Sequence, residues 1–224
     1  MWTIENLRIL QLNRLLLKLF PVVFLMLYLF LSWNNRLAHD DFYSIYAIKN
    51  YGILKGVQHQ FFTWCPRSFA VLLSFCVIAL TQYFSFALFI WQLFLILFCV
   101  YCFQVVFHEL ETRKWIRFDF GGPISGALMI SAALFFCVPD VGQAWFWTAS
   151  TTTYLLSFLF LIYGIGLLFR EKISFCYGFK TVIVFFVVGN SSEPQAVLTI
   201  LVLIFRSEEH TSELQSRLHL VCRL

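Results

Sequence analysis

Six stretches of this chain contain no Asp, Glu, Lys or Arg and consist mainly of apolar residues. Several of them match the roughly 20 residues that a helix needs to cross the hydrocarbon core of a bilayer. They lack the alternation of polar and apolar residues that marks a membrane-spanning strand, and a helix satisfies its own backbone hydrogen bonds in lipid. The stretches are 19–35, 68–107, 121–139, 141–169, 181–192 and 194–205. The sequence therefore predicts an all-α, polytopic membrane protein with about six spans.

The overall composition agrees with a protein whose main partner is the lipid bilayer. Hydrophobic residues make up 60% of the chain and charged residues only 12%, whereas about 25% of the residues of a soluble domain are charged. The formal net charge of +4 is spread over the segments between the apolar stretches. It forms no basic stripe, so nucleic acid is not an implied partner. We expect a multi-pass protein of the cell membrane.

The first 18 residues differ from the rest in mixing apolar and basic side chains. Arg8, Arg14 and Lys18 alternate with Leu and Ile, which is typical of an interfacial amphipathic helix. Its basic residues favour a cytoplasmic location. No small-residue cleavage site follows Leu31, so we interpret 1–18 as a lead-in to an uncleaved anchor.

The last 19 residues form a second segment of different character. Residues 206–216 read Arg-Ser-Glu-Glu-His-Thr-Ser-Glu-Leu-Gln-Ser, which resembles the direct translation of a short-read sequencing adapter. We therefore exclude 206–224 as a non-native tail, as fusion scars are excluded. The transmembrane domain is then 19–205 and is cut inside its last helix, so we expect the chain as written to be inactive.

The distribution of Lys and Arg between the apolar stretches predicts the topology. Three basic residues occur in 108–120 and three in 170–180, and none occurs in 139–150 or 190–194. Basic loops face the cytoplasm, so the other two loops, and the first loop at 33–67, are expected outside.

This topology creates a parity problem at residues 68–107. The stretch is long enough for two crossings, yet it must join an outer loop to an inner one. We therefore expect 67–82 to lie in or re-enter the outer interface, with a break at Thr81, Gln82 and Tyr83 and a crossing at 84–107. A plain hairpin, which reverses every later loop, is the alternative. The remaining spans are expected at 122–138, 151–169, 173–189 and 195–205.

The unusual polar residues collect in the three expected outer loops. A charge at mid-membrane costs roughly 2.5–3.5 kcal/mol, so an apolar chain keeps the carboxylates that it can solvate or use. The convergence predicts a site at the membrane surface, although Trp147 also suits an ordinary aromatic belt. The candidates are Asp40, Asp41, Lys55 and Arg67 in the first loop, Trp147, Thr148, Ser150 and Tyr154 in the second, and Asn190 and Glu193 in the third.

The order and spacing of these motifs resemble a known family. Asp40-Asp41-Phe42, Arg67-Ser-Phe, Trp147-Thr-Ala-Ser150 with Tyr154, and Gly189-Asn190 with Glu193 are similar to a bacterial family of multi-span membrane proteins of unknown function. That family is grouped with the GT-C glycosyltransferases, which use lipid-linked sugars. The resemblance covers about residues 15–205 and implies a bacterial inner-membrane protein with a GT-C-like N-terminal module. Pro66 and Ala149 stand where the family tends to have Gly, so the backbone at 148–150 is expected to differ.

The resemblance implies transfer of a sugar from a polyprenyl-phosphate donor to a cell-envelope acceptor. An acidic residue of the first outer loop would serve the acceptor, because a phosphate leaving group needs little acid help and the acceptor hydroxyl needs a base. Adjacent residues point in different directions, so Asp40 or Asp41 is the base and the other orients the loop or holds a cation. Arg67 and Lys55 suit the phosphate.

The other candidate residues are assigned to the sugar and the prenyl chain. Trp147 and Tyr154 could stack on either one, and Glu193 could bind sugar hydroxyls, while Thr148, Ser150 and Asn190 belong to the motifs that resemble the family. No cofactor or metal site is assigned. A divalent cation is compatible with the acidic pair, but His39 and His59 lack a recognised ligand spacing.

Two other classes of function remain open at this stage. A transporter or flippase of a lipid-linked or small solute would place ionisable residues at mid-membrane. A non-enzymatic membrane protein would use the acidic pair only as a solvated turn. The sequence names neither the sugar, the acceptor nor the oligomeric state.

Overall fold

The computed structural model describes residues 4–118, 121–170 and 175–221, and side chains within 19–118, 121–170 and 175–208. All regular elements of these ranges are helical, which confirms the predicted all-α class. The α-helices are α1 (Ile4–Trp33), α2 (Asp40–Thr63), α3 (Ser68–Tyr83), α4 (Ala87–Thr112), α5 (Gly122–Cys137), α6 (Thr148–Leu168), α7 (Phe175–Gly189) and α8 (Glu193–Val221). A π-helical turn spans Gly142–Phe146, and the first part of α6 is π-helical at Thr151–Leu155.

Two helices of the described residues are long and apolar enough to cross a membrane. These are α4, with 26 residues, and α6, with 21. The apolar parts of four other helices are shorter, at Leu19–Trp33, Ser68–Tyr83, Gly122–Cys137 and Phe175–Gly189. The six-span arrangement stays a prediction.

The helices α4 and α6 form the centre of the bundle and run parallel to each other. At one end the indole N–H of Trp91 donates to the hydroxyl of Thr151 at 3.1 Å, and at the other the Nε of Arg113 donates to the carbonyl of Phe169 at 2.9 Å. The chain must return along the bundle between two parallel helices, and α5 forms this return between α4 and α6. We call the end with Trp91 and Thr151 the site end.

The helices α1 and α5 pack antiparallel to α4. The hydroxyl of Tyr28 donates to the side-chain oxygen of Gln92 at 3.0 Å, and Trp33 packs on Phe86 with ring centroids 5.6 Å apart. Rings of α1, α5 and the Gly142–Phe146 turn fill the core between these helices, where apolar burial stabilises the bundle. The largest fully buried side chains there are Phe24, Tyr28, Phe135 and Trp145.

A break precedes α4, but it lies at 84–86, just after the residues at which it was predicted. Helix α3 ends at Tyr83 and α4 begins at Ala87, next to the expected Thr81 to Tyr83. Both flanks of α3 contact the site end, since Arg67 reaches Tyr154 of α6 and Phe86 packs on Trp33. A plain hairpin would put residues 84–86 at the opposite end from Arg67, and these contacts do not have that arrangement.

The segment 33–67, expected to be the first outer loop, contains a helix that sequence reasoning missed. Helix α2 is broken at Gly52, whose φ of +74° favours glycine, and it packs on α3 through Ala47 and Gly56. An added Cβ at Gly56 would lie 2.7 Å from a ring carbon of Phe75. The opposite face of α2 exposes Phe62 and other aromatic rings.

Two sequence interpretations are only partly covered by the described residues. The backbone of α1 begins at Ile4 and is continuous with the first apolar stretch, but the side chains of the predicted lead-in lie outside the described ones. The backbone of α8 continues past residue 206, where the predicted non-native tail begins. The side chains of α8 after residue 208 lie outside the described ones. The expected start of a span at residue 173 lies outside the described residues.

Candidate functional site

A cavity of about 390 Å³ opens at the site end between α2, α3, α6 and the start of α8. It brings together residues from all three expected outer loops, although they lie as far apart as Asp40 and Glu193 in the chain. The predicted site residues that line it are Asp40, Arg67, Trp147, Ser150, Tyr154 and Glu193. The expected convergence of the outer loops at one place is therefore present in the fold.

Four other predicted site residues do not line this cavity. Asp41 and Thr148 are buried behind it, with 0% and 1% of their surface exposed. Lys55 lies exposed on α2. The amide of Asn190 donates to the carbonyl of Phe186 at 2.9 Å and so closes the end of α7.

The acidic pair divides between two environments. Both residues belong to the first turn of α2, where adjacent side chains point about 100° apart, as 3.6 residues per turn requires. Asp40 faces the cavity. Asp41 instead accepts a hydrogen bond from the N–H of Ala38 at 3.1 Å and thereby fixes the loop that precedes α2. His39, which lies between Ala38 and Asp40 in the chain, has a positive backbone φ of +43°.

The Asp41 carboxyl is held in an apolar setting. Its burial raises the pKa above the ordinary value for Asp, against the lowering effect of the hydrogen bond from Ala38. Its Oδ1 and the buried hydroxyl of Thr148 form no hydrogen bond of good geometry among the described residues, but Thr148 and the N–H of Ala149 lie close enough to lower the pKa of Asp41 as well. Burial of a carboxylate is costly, so desolvation outweighs these contacts and keeps the pKa of Asp41 above its ordinary value.

Arg67 is the cation of the cavity, and its whole fork is engaged. Its Nη2 and Nε contact the two carboxylate oxygens of Glu193 at 2.5 and 3.0 Å, and its Nη1 donates to the hydroxyl of Tyr154 at 3.0 Å. The hydrogen bond from Arg67 lowers the pKa of Glu193, and the same bond raises the pKa of Arg67. Glu193 thus occupies the face of Arg67 that would bind a phosphate.

Two polar residues of the cavity, Gln60 and Ser74, were not predicted, and the predicted Trp147 adds its indole N–H to them. The side-chain oxygens of Gln60 and Ser74 are buried without a hydrogen-bond partner among the described residues, and so is the indole N–H of Trp147. Buried polar groups are normally paired, so such groups in a cavity mark a place for a polar ligand or water. For Ser74 the available signal was a hydroxyl that is flanked on both sides by apolar residues within 69–80.

The segment around Ala149 is regular. Residues Thr148–Ser150 are α-helical and lead into the π-helical Thr151–Leu155, which carries Tyr154 toward Arg67. A helical backbone favours Ala over Gly, so Ala149 fits this segment without a displaced loop. Short π-helical stretches occur frequently at functional sites.

The two histidines considered as metal ligands lie in different surroundings. His39 packs edge-on against Trp147 with ring centroids 5.8 Å apart, and His59 stacks on Tyr51 at 5.2 Å. Within the described ranges, no group of three or more His, Cys, Asp or Glu side chains could hold a metal ion.

Comparison with known proteins adds no further assignment, because no family model, curated protein or solved structure matches this chain. The resemblance to the GT-C-related family therefore stays a prediction that rests on its motifs.

Proposed function

We propose that this chain carries the outer-face site of a GT-C-type membrane glycosyltransferase, which moves a sugar from a polyprenyl-phosphate donor to an acceptor of the bacterial cell envelope. One observation carries the proposal: a single cavity joins a carboxylate, a guanidinium and aromatic walls at one end of an apolar helix bundle. Such a donor needs three kinds of surface. Its prenyl chain needs apolar surface, its phosphate needs a cation, and its sugar needs polar groups.

The phosphate of the donor binds Arg67 in this proposal. A guanidinium matches phosphate oxygens with two parallel hydrogen bonds, and Arg67 already makes that arrangement with the carboxylate of Glu193. The donor phosphate takes the place of Glu193, while the hydroxyl of Tyr154 keeps Nη1 of the guanidinium in position.

Asp40 is the base of the proposed reaction because it lines the cavity, whereas Asp41 does not. The acceptor hydroxyl oxygen attacks the anomeric carbon of the sugar, and its proton passes to the Asp40 carboxylate. The bond between that carbon and the phosphate oxygen breaks, and its electron pair leaves with the polyprenyl phosphate. Asp41 orients the loop through Ala38.

The sugar lies against the unpaired polar groups of the cavity. Gln60, Ser74 and the indole N–H of Trp147 have hydrogen-bonding atoms without partners among the described residues. Sugar hydroxyls both donate and accept hydrogen bonds, so they can satisfy all three. Glu193 keeps its predicted role toward sugar hydroxyls in this proposal, because the donor phosphate releases its two oxygens from Arg67.

The positions of the charges favour an enzyme over a transporter. In α4 the acidic residues are Glu109 and Glu111, both in its last turn, and α6 has no charged residue. Transporters place ionisable groups near the bilayer midplane, and these two helices have none there.

The proposal requires the site end to face away from the cytoplasm, with six spans and α3 in the outer interface. Alkaline phosphatase is active only outside the cytoplasm, so a fusion after Arg36 should be active and a fusion after Lys114 inactive. The reverse pattern would refute the orientation and, with it, access of the acidic pair to a donor presented outside.

The function itself is tested in cells that carry the natural gene. Asp40→Asn should lower the envelope glycan that depends on this gene by about 100-fold or more, because a general base contributes roughly 10²–10⁴ in rate. Asp140→Asn is the matched control, since Asp140 is exposed at the same end of the bundle and does not line the cavity. Unchanged glycan in both Asp40→Asn and Asp41→Asn cells would reject the enzyme and favour a non-enzymatic role.

A further inference from the structure

A second cavity, of about 600 Å³, lies beside the first at the site end. Its walls come from the end of α1, the end of α3, the start of α4 and Phe42 of α2. The two cavities share no lining residue, and the loop between α1 and α2 separates them. Arg36 and Leu37 of this loop line the second cavity, while Asp40 lines the first.

Arg36 gives the second cavity an unneutralised positive charge. It is the one charged residue among the described residues that line the cavity. Its Nη1 donates to the carbonyl of Asn35 at 2.9 Å, and no carboxylate of the described residues pairs with it. Arg67 differs in this respect, since Glu193 neutralises it.

The walls around Arg36 are aromatic and exposed. Trp33, Phe42 and Phe86 each expose more than half of their surface, and Trp33 packs on Phe86 and on Phe89. The cavity therefore presents apolar surface next to a single cation, at the helix end where a membrane would meet water. Aromatic rings are enriched at that level of a bilayer, and basic side chains there attract anionic lipid.

The hydroxyls of the cavity add one donor for a phosphate. Thr81 donates to the carbonyl of Ile78 and Ser32 to that of Tyr28. The exposed hydroxyl of Ser85 has no hydrogen-bond partner among the described residues. Arg36, Ser85 and the indole N–H of Trp33 are thus described lining groups with donors left for an anion.

We propose that the second cavity binds an anionic phospholipid of the surrounding bilayer. The lipid phosphate contacts the guanidinium of Arg36, and an acyl chain lies along Trp33, Phe86 and Phe89. The loop that carries Arg36 precedes the acidic pair and is also held by Asn35, whose side chain donates to the carbonyl of Phe146 at 3.0 Å. This site is independent of the proposed sugar transfer.

The test measures retained lipid by native mass spectrometry. The full chain is reconstituted in phosphatidylcholine nanodiscs that contain a few per cent phosphatidylglycerol. Arg36→Ala should lower phosphatidylglycerol occupancy about fivefold, the equivalent of roughly 1 kcal/mol for one basic residue near the surface. Arg36→Lys should retain most of the occupancy. Arg117→Ala is the control, because Arg117 is equally exposed but follows α4 at the opposite end.

Three results would overturn the proposal. The first is an unchanged occupancy in Arg36→Ala, and the second is an equal loss in Arg117→Ala, which would indicate only a general attraction of charge. The third is displacement of the lipid by soluble glycerol 1-phosphate, which would show that the cavity recognises a free phosphate and not a membrane lipid.

Discussion

The ion pair between Arg67 and Glu193 allows a sharp test of the cavity, because the same guanidinium cannot serve Glu193 and a phosphate at once. Glu193→Gln removes the competing charge and keeps a side-chain oxygen that Arg67 can bond. We expect this variant to bind undecaprenyl phosphate more tightly than the natural chain does. Arg67→Ala should bind it more weakly.

The size of the gain follows from the exposure of the pair. The side chains of Arg67 and Glu193 are 25% and 59% exposed, so solvent screens their attraction, and exposed ion pairs contribute about 0.2–1 kcal/mol. Removing that competition should raise affinity by about 1.5- to 5-fold, since 1.4 kcal/mol is a factor of ten. Arg67→Ala removes hydrogen bonds to a charged group worth about 1.5–3 kcal/mol, so affinity should fall by about 10- to 150-fold.

Binding is measured with radiolabelled undecaprenyl phosphate on the full chain in phosphatidylcholine nanodiscs. Undecaprenol, which lacks the phosphate, is the control ligand, and its binding should be the same in all variants. In the double variant Arg67→Ala with Glu193→Gln, the second change should have no further effect, because the cation for which Glu193 competes is gone.

Two outcomes would refute this reasoning. If Glu193→Gln weakens binding as much as Arg67→Ala does, Glu193 belongs to the ligand-binding set and does not compete with the phosphate. If undecaprenyl phosphate and undecaprenol bind equally to the natural chain, the cavity does not recognise a phosphate. Neither outcome changes the lipid binding expected at Arg36.

The remaining predictions concern stability, measured by thermal unfolding of the chain in detergent. Because burial raises the pKa of Asp41, its folded state is stabilised at low pH, and this stability is lost as the pH rises through the raised pKa. Asp41→Asn should therefore raise the melting temperature at pH 7 and flatten its pH dependence, and an unchanged pH profile would contradict the burial argument. Gly56→Ala should cost about 1–3 kcal/mol, because an added Cβ would lie 2.7 Å from the buried ring of Phe75 and would force that ring to shift. Gly52→Ala should cost about 1–3 kcal/mol from its backbone conformation alone, because φ +74° with ψ 174° is adopted essentially only by glycine and no atom lies within 4 Å of an added Cβ. No loss in either glycine variant would show that α2 does not hold this geometry.

Local patterns in the sequence were enough to predict the helical class and many of the helix boundaries. Uninterrupted apolar stretches imply helices wherever a backbone must satisfy its own hydrogen bonds, and a cluster of polar residues at Thr81 to Tyr83 marked the break before α4. Helix α2 was missed because its apolar residues are interrupted by Lys, His and Asn. Its aromatic face and its glycine kink do not produce a continuous apolar stretch.

The identity of the candidate residues came from the sequence, but their division of labour came from the tertiary structure. The sequence offered Asp40 and Asp41 as equals, and the turn of α2 places one in a cavity and buries the other. It suggested Glu193 for a sugar, and the packing of α8 beside α3 pairs that carboxylate with Arg67, which is 126 residues away. Hydropathy and local charge depend on neighbours along the chain, whereas which polar groups meet depends on how helices cross, and that is decided by side-chain packing between distant segments.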